Sequence, residues 1–283
     1  MTNRERERMT LDFQKPDRGA VEETFYPWVL TTQRYKEEGV PAEIADGAKD
    51  ITNDIVGKHE NDNPEKYLPV SWGEGVMEYE KYLGFDPVRR IHFVLPFRRF
   101  EEKVIEETPE HIIKQDVFGR QNIRKLPNGI EIPYKPIIET DDDWKRLKEH
   151  GDRELEKSFT EEAIRAAYSP LKEAHDRGDF PIRMNIEGFF WVPRELMGDE
   201  EQLFAFYENP ELLHDICDYV LEVYTTKLMT AIETIQPDVV YIMEDLSGKN
   251  GPMISGAMFD EFVGAYYKKL IPMAGFCGSP KQR

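Results

Sequence analysis

The clearest periodic signal lies between Asn209 and Pro237. Leu213, Ile216, Val220, Tyr224, Leu228, Ala231 and Ile235 recur every three or four positions, so they share one face of a helix. Asn209 can cap that helix, Pro210 suits its first turn and Pro237 ends it. On both sides the spacing changes. Residues 182–188 alternate apolar and polar, and residues 239–243 (Val-Val-Tyr-Ile-Met) form a short β-rich run. Another helix is expected near 257–270. Strand, helix, strand, helix with short connections argues for a parallel sheet or barrel.

Upstream the pattern is more broken. A short helix is expected over 3–13, a strand over 19–26 and a helix over 27–38, ended by Gly39 and Pro41. Residues 42–66 read as mostly loop with one short helix. Residues 79–83 read as helix and 89–95 as strand. Residues 112–118 and 129–135 look like two arms of an antiparallel excursion, with the favoured turn pair Asn128-Gly129 between them. Thr140 before three aspartates marks a helix start. Thr160 marks another, of a helix running to about Asp176 and closed by Gly178. No G-x-G-x-x-G follows any strand, which disfavours a dinucleotide-binding domain.

Composition narrows the function classes. The 283 residues include 37 basic and 55 acidic side chains, for a net charge of -18. Such a surface repels phosphate backbones, so nucleic acid is not an expected partner. No window approaches the roughly 18–20 apolar residues of a membrane span, and the first residues carry no apolar leader. Two cysteines, Cys217 and Cys277, form no C-x-x-C pair. The expected location is the cytoplasm.

The candidate chemistry sits at strand ends, where barrel active sites lie. Strand 239–243 runs into Glu244 and Asp245. By alternation Tyr241, Met243 and Asp245 share one face, while Val240, Ile242 and Glu244 share the other. The aliphatic pair suits a helix-facing side, so Asp245 is the better inward candidate. The alternative is that Asp245 merely caps a loop. The second cluster is Arg183, Asn185, Glu187, Phe189 and Trp191. Arg183 and Glu187 could form a structural ion pair. Phe190 and Trp191 could wall a pocket or belong to the core. Arg194 could grip a carboxylate or sit solvated. The six histidines show no zinc spacing. His92 reads as a core or pocket residue, His214 as exposed, and Cys217 as a small hydrophobe.

Several segments together resemble the uroporphyrinogen decarboxylase family, which also contains cobalamin-linked methyltransferases. They are Asn3-Arg-Glu-Arg with Pro16-Asp17-Arg18, Gly188-Phe-Phe-Trp-Val-Pro-Arg-Glu-Leu-Met-Gly198, Asn209-Pro-Glu-Leu-Leu-His214, and Asp245 followed by Gly251-Pro-Met-Ile-Ser255, Phe259-Asp-Glu-Phe262 and Tyr266-Tyr-Lys268. The resemblance implies a (β/α)8 TIM barrel occupying residues 1–283 as a single partial domain, with a hairpin and loop elaboration in its first half. Four barrel strands are legible, near 20, 91, 184 and 241. A full barrel takes ~250 residues without such insertions, so the barrel is expected to be incomplete at its C-terminus.

The resemblance also implies a function. The expected reaction is methyl transfer between a small methylated substrate and a corrinoid protein or folate. The alternatives are decarboxylation of uroporphyrinogen and an inactive truncated fragment. The decarboxylase's arginine pair after the first strand has no counterpart in Phe25-Tyr-Pro-Trp-Val-Leu-Thr-Thr-Gln-Arg34, which favours the methyltransferase branch. Zinc and corrinoid are implied for a complete protein, but Gly275-Phe-Cys-Gly278 is not the branch's H-x-C pair, and no metal ligand is assigned. Asp245 and Glu187 are the expected catalytic residues, and Trp191, Arg194, Asn185 and Tyr241 the expected substrate-binding ones. The expected partners are a small-molecule substrate and a corrinoid protein. A homodimer is compatible with the chain, and membrane attachment is not expected.

Overall fold

A computed structural model describes residues 1–22, 29–52, 70–71, 74–116, 118–126 and 131–273. In chain order the first elements are α1 (Asn3–Leu11), α2 (Val29–Glu37), α3 (Ala42–Thr52), β1 (Val70–Ser71), α4 (Glu74–Tyr82) and β2 (Arg89–His92). Four strands follow: β3 (Lys103–Glu107), β4 (His111–Gln115), β5 (Gln121–Lys125) and β6 (Glu131–Lys135). Next come α5 (Asp141–Ser158), α6 (Glu161–Tyr168), α7 (Lys172–Arg177) and β7 (Ile182–Glu187). Helices α8 (Trp191–Met197), α9 (Asp199–Glu208), α10 (Pro210–Val223) and α11 (Met229–Ile235) lead to β8 (Val239–Met243). Two short strands, β9 (Ser247–Gly248) and β10 (Gly251–Pro252), precede α12 (Gly256–Phe259) and α13 (Ala265–Met273).

The chain divides into two units. The first comprises residues 1–94, 165–185 and 234–241, and the second comprises 95–164, 186–233 and the chain from Ile242. One sheet has the strand order β1-β2-β7-β8. Strand β2 pairs in parallel with β7, Arg89 opposite Ile182 and His92 opposite Asn185. Beside β7, the Asp238 N–H donates to Ile182 O and the Gly188 N–H to Met243 O, both at 2.9 Å. The two bonds advance in the same sense along both strands, so β7 and β8 are parallel, as their sequence order predicts. Strand β1 runs antiparallel on the other side of β2, with Val70 opposite His92. The strand expected over 19–26 is absent from residues 19–22, and residues 23–26 lie outside the described set.

Within the first unit, Ile182 and Met184 are fully buried while Arg183 and Asn185 are partly exposed. The start of β8 is anchored electrostatically. Asp238, whose side chain is 1% exposed, accepts from His175 at 2.6 Å, Arg4 at 2.9 Å and the Ile182 N–H at 3.0 Å. Burial works to raise its pKa, but those three donors outweigh it and hold the carboxyl below its ordinary value. Arg6 and Arg18 clamp Asp86 in the same way, at 2.8 and 2.6 Å. The one short helix expected within 42–66 is α3, over residues 42–52, and residues 53–66 lie outside the described set. The helix expected from Thr160 to Asp176 is interrupted by a 3-10 turn at Ser169–Leu171, where Pro170 supplies no N–H.

In the second unit the antiparallel excursion has four strands, in the order β3-β4-β5-β6. The two expected arms are therefore not partners: residues 111–115 pair with 121–125, and 121–125 with 131–135. The reason is a tight turn the sequence reading passed over. Asp116 accepts from the N–H groups of Phe118 and Arg120, both at 2.9 Å, and Gly119 takes φ +83°. Asn128 and Gly129 lie outside the described residues. Thr140 and Asp143 cap α5 reciprocally, as expected from the sequence.

All seven stripe residues from Leu213 to Ile235 are buried, none more than 1% exposed. Each such aliphatic burial contributes roughly 1.5–3 kcal/mol. The long helix is not uniform, however. A π-helical turn spans Tyr224–Leu228, where the Thr226 hydroxyl donates to Glu222 O at 2.7 Å. A second π turn, Asp260–Gly264, separates α12 from α13. His214, expected to be exposed, is half-buried: it stacks on Phe262 with centroids 4.5 Å apart and shares a 2.9 Å hydrogen bond with Tyr266. Among the described residues no helix is long and apolar enough to cross a membrane.

Candidate functional site

The second unit contains the C-terminal ends of β7 and β8. Strand β7 ends at Glu187, and Gly188-Phe189-Phe190 turns the chain into α8. Strand β8 delivers Glu244 onto that turn. Glu244 Oε2 accepts from the Trp191 N–H at 2.8 Å and Oε1 from the Phe190 N–H at 3.2 Å. The Tyr267 hydroxyl, carried by α13, donates to the same Oε1. A carboxylate is thus seated on the first amides of α8, where the helix dipole favours negative charge. Burial raises the Glu244 carboxyl above its ordinary pKa, and the Tyr267 hydroxyl and the two amides oppose that rise. Burial and the neighbouring carboxylate push the Tyr267 phenol far up, so it keeps its proton.

Asp245 points elsewhere. Its side chain is 49% exposed, and its Oδ2 accepts from Arg194 at 2.5 Å. Arg194 also donates to Asp199 at 2.5 Å and lies 5.7 Å from the centroid of the Trp191 ring. The Asp199 hydrogen bond first, and that of Asp245 with it, hold the Arg194 pKa above its ordinary value. Glu187 pairs with Arg98: Nε donates to Oε2 at 3.3 Å, and Nη2 lies 3.3 Å from Oε1. The Glu187 carbonyl accepts from the buried Tyr224 hydroxyl at 2.7 Å.

Four of the six sequence-derived site residues therefore lie in this unit. Arg194 brings Trp191 and Asp245 together, and Glu187 is held by Arg98. Asn185 and Tyr241 belong to the first unit. The Asn185 amide nitrogen lies 3.2 Å from His92 Nε2, and Tyr241 is half exposed. Arg183 and Glu187, weighed as a structural ion pair, each have another partner. Residues four apart on a strand are separated by about 13 Å, and Arg183 instead meets Glu22 at 2.5 Å. Phe189 and Phe190 are core residues, while Trp191 is partly exposed. Cys217 is buried, and burial pushes its thiol pKa up, in keeping with its reading as a small hydrophobe.

Sequence reasoning set Glu244 aside as helix-facing and did not single out Arg98. Signals for both were present. Gly188 opposite a strand-end acid marks a close approach, and an arginine just past a strand end at Pro96 marks a tip position. Zinc does not fit the residues described. Among them no group of three or more His, Cys, Asp or Glu could hold a metal, and the Cys217 thiol is sealed against Phe189 O at 3.4 Å. A cavity of about 230 Å³ lies elsewhere in the unit, lined by Phe100, Gln115, Gln121, Arg146 and His150 among others, and none of the strand-end residues borders it. No protein-family model matches the chain, and no curated protein matches it.

Proposed function

We propose that the chain is a member of the uroporphyrinogen decarboxylase family, built on a (β/α)8-type barrel, and that it acts by methyl transfer between a small methylated substrate and a corrinoid protein or folate. The observation that carries this reading is the clustering of charged groups where two adjacent parallel strands end: Glu187, Glu244, Asp245 and Arg194. Active sites of parallel α/β folds lie at that end of the strands. The segments that carry the family resemblance, Gly188–Gly198 and Asp245–Lys268, follow in the chain directly after the ends of these two strands, which supports the reading. In this reading Asp245 orients substrate or takes up a proton, Arg194 holds Asp245 in place, and Trp191 offers an aromatic surface. Glu244 anchors the turn that carries them. The corrinoid supplies the exchangeable methyl group and is brought by a partner.

The test is spectroscopic. The full chain is incubated with methylcobalamin and, in parallel, with a thiol or tetrahydrofolate acceptor. A methyl group passing from cobalt to the acceptor leaves cob(I)alamin, which absorbs distinctively. The expected result is acceptor-dependent loss of methylcobalamin that falls by about a hundredfold or more in Asp245→Asn, the usual weight of a positioned proton-transfer group. Turnover of uroporphyrinogen to a decarboxylated product, with methylcobalamin untouched, would replace this reading by the decarboxylase one.

A further inference from the structure

We infer that Arg98 is an anion anchor at the end of β7, and that the substrate carries a carboxylate which competes with Glu187 for its guanidinium. The inference deepens the proposed function and rests on it for the location of the site.

Arg98 closes the 3-10 turn Pro96–Arg98 that follows β2, and its side chain is 1% exposed. A guanidinium carries five N–H donors and keeps its charge inside a protein. Here one of them, on Nε, is used, in a long 3.3 Å bond to Glu187, while Nη1 and Nη2 have no hydrogen-bond partner among the described residues. A buried charge with most of its donors unmatched is costly. Such a group persists where another requirement holds it.

The neighbouring Arg99 is enclosed too, with its guanidinium 4.5 Å from the Phe159 ring centroid and 3.8 Å from Glu154. What marks Arg98 is the position of its partner: it faces the carboxylate that ends β7 and is 21% exposed, so the pair reaches the surface through Glu187. The Glu187 backbone is fixed independently by Tyr224, the first residue of a π turn, a feature frequent at functional sites. The backbone is pinned while the side-chain pair is loosely bonded, and that arrangement permits exchange. A planar carboxylate that takes the place of Glu187 beside Nη2 can bond Nη1 and Nη2 together in bidentate fashion. When it binds, Glu187 is released toward solvent.

The experiment uses sodium benzoate as a carboxylate probe and benzamide as its neutral isostere, titrated calorimetrically into the full chain at constant ionic strength. Saturable benzoate binding is expected, with benzamide at least tenfold weaker. Arg98→Met should weaken benzoate at least tenfold. Glu187→Gln should tighten it several-fold, because the internal competitor loses its charge; a purely structural Arg98–Glu187 pair predicts no such gain. Should Arg98→Met fail to fold, Arg98→Lys, which keeps the charge and loses the planar fork, is expected to bind several-fold more weakly than the parent chain. Equal binding of benzoate and benzamide, no saturable benzoate binding, undiminished binding by a folded Arg98→Met, or weaker binding by Glu187→Gln would each overturn the inference. Methyl transfer without benzoate binding removes the anchor and leaves the reaction standing; benzoate binding without methyl transfer does the reverse.

Discussion

Gly188 leaves open the space that the Glu244 carboxylate fills. A Cβ at position 188 would sit 2.1 Å from Glu244 Cδ and 2.2 Å from its Oε1. Gly188→Ala is expected to destabilise the protein by about 1–3 kcal/mol, the usual cost of overpacking. Urea unfolding measures it. Combining it with Glu244→Ala should recover part of that loss, because the clash partner is gone. Strictly additive losses in the double variant would show that position 188 is restricted by something other than Glu244.

Tyr267→Phe tests the electrostatics of the same turn. Burial raises the Glu244 carboxyl, so its contribution to stability is greatest below its unfolded pKa of about 4.3 and is lost as pH rises through the folded value. The Tyr267 hydrogen bond supports the ionised form. Its removal should cost about 1.5–3 kcal/mol near neutrality and less once Glu244 is protonated. Thermal unfolding of both proteins from pH 4 to pH 8 gives the comparison, and a gap that does not change with pH would contradict this account.

Asp238 behaves with the opposite sign. Its carboxyl is depressed by His175, Arg4 and the Ile182 amide, so its contribution is present above the unfolded pKa of about 3.9 and disappears as pH falls through the folded value. Asp238→Asn should cost about 3–5 kcal/mol at pH 7, since the largely buried Arg4 loses its counter-charge. The difference in denaturation midpoint between parent and variant should shrink below pH 4. A constant difference down to pH 2 would mean the pair is not the source.

Asp245→Asn should separate activity from stability. Its pair with Arg194 is half exposed and contributes about 0–1 kcal/mol. The variant is therefore expected to unfold within about 1 kcal/mol of the parent while losing methyl transfer. Equal loss of both would identify Asp245 as a structural residue.

The elements with strong internal period were legible from the chain alone. The stripe from Leu213 to Ile235, the alternation of β7 and the cap at Thr140 each depend on nearby residues, so local chemistry decides them. Partner choice was less legible, because it depends on residues far along the chain. Arg183 meets Glu22, and Glu187 meets Arg98, across separations that no local spacing reveals. The β4–β5 turn was missed because Asp116 builds it with its side chain, without the favoured dipeptide that drew attention to residues 128–129. At the end of β8, alternation put Glu244 and Asp245 on opposite faces and favoured Asp245 as the inward one. It could not tell that Gly188, just past the end of β7, leaves room for Glu244 and makes it the enclosed acid.

Strand β7 keeps two separate ledgers of change. Its aliphatic row, Ile182, Met184 and Ile186, is sealed in the interior and tolerates little variation. Its polar row, Arg183, Asn185 and Glu187, is tied to three different segments through Glu22, His92 and Arg98. A residue of the second row can change together with its partners elsewhere in the chain while the first row stays as it is; the Arg183 position is the more constrained, because Glu22 also meets Arg90 at 3.2 Å. The chemistry at this strand can therefore diverge while the scaffold beneath it stays constant, an evolutionary freedom that a strand buried on both faces would not have.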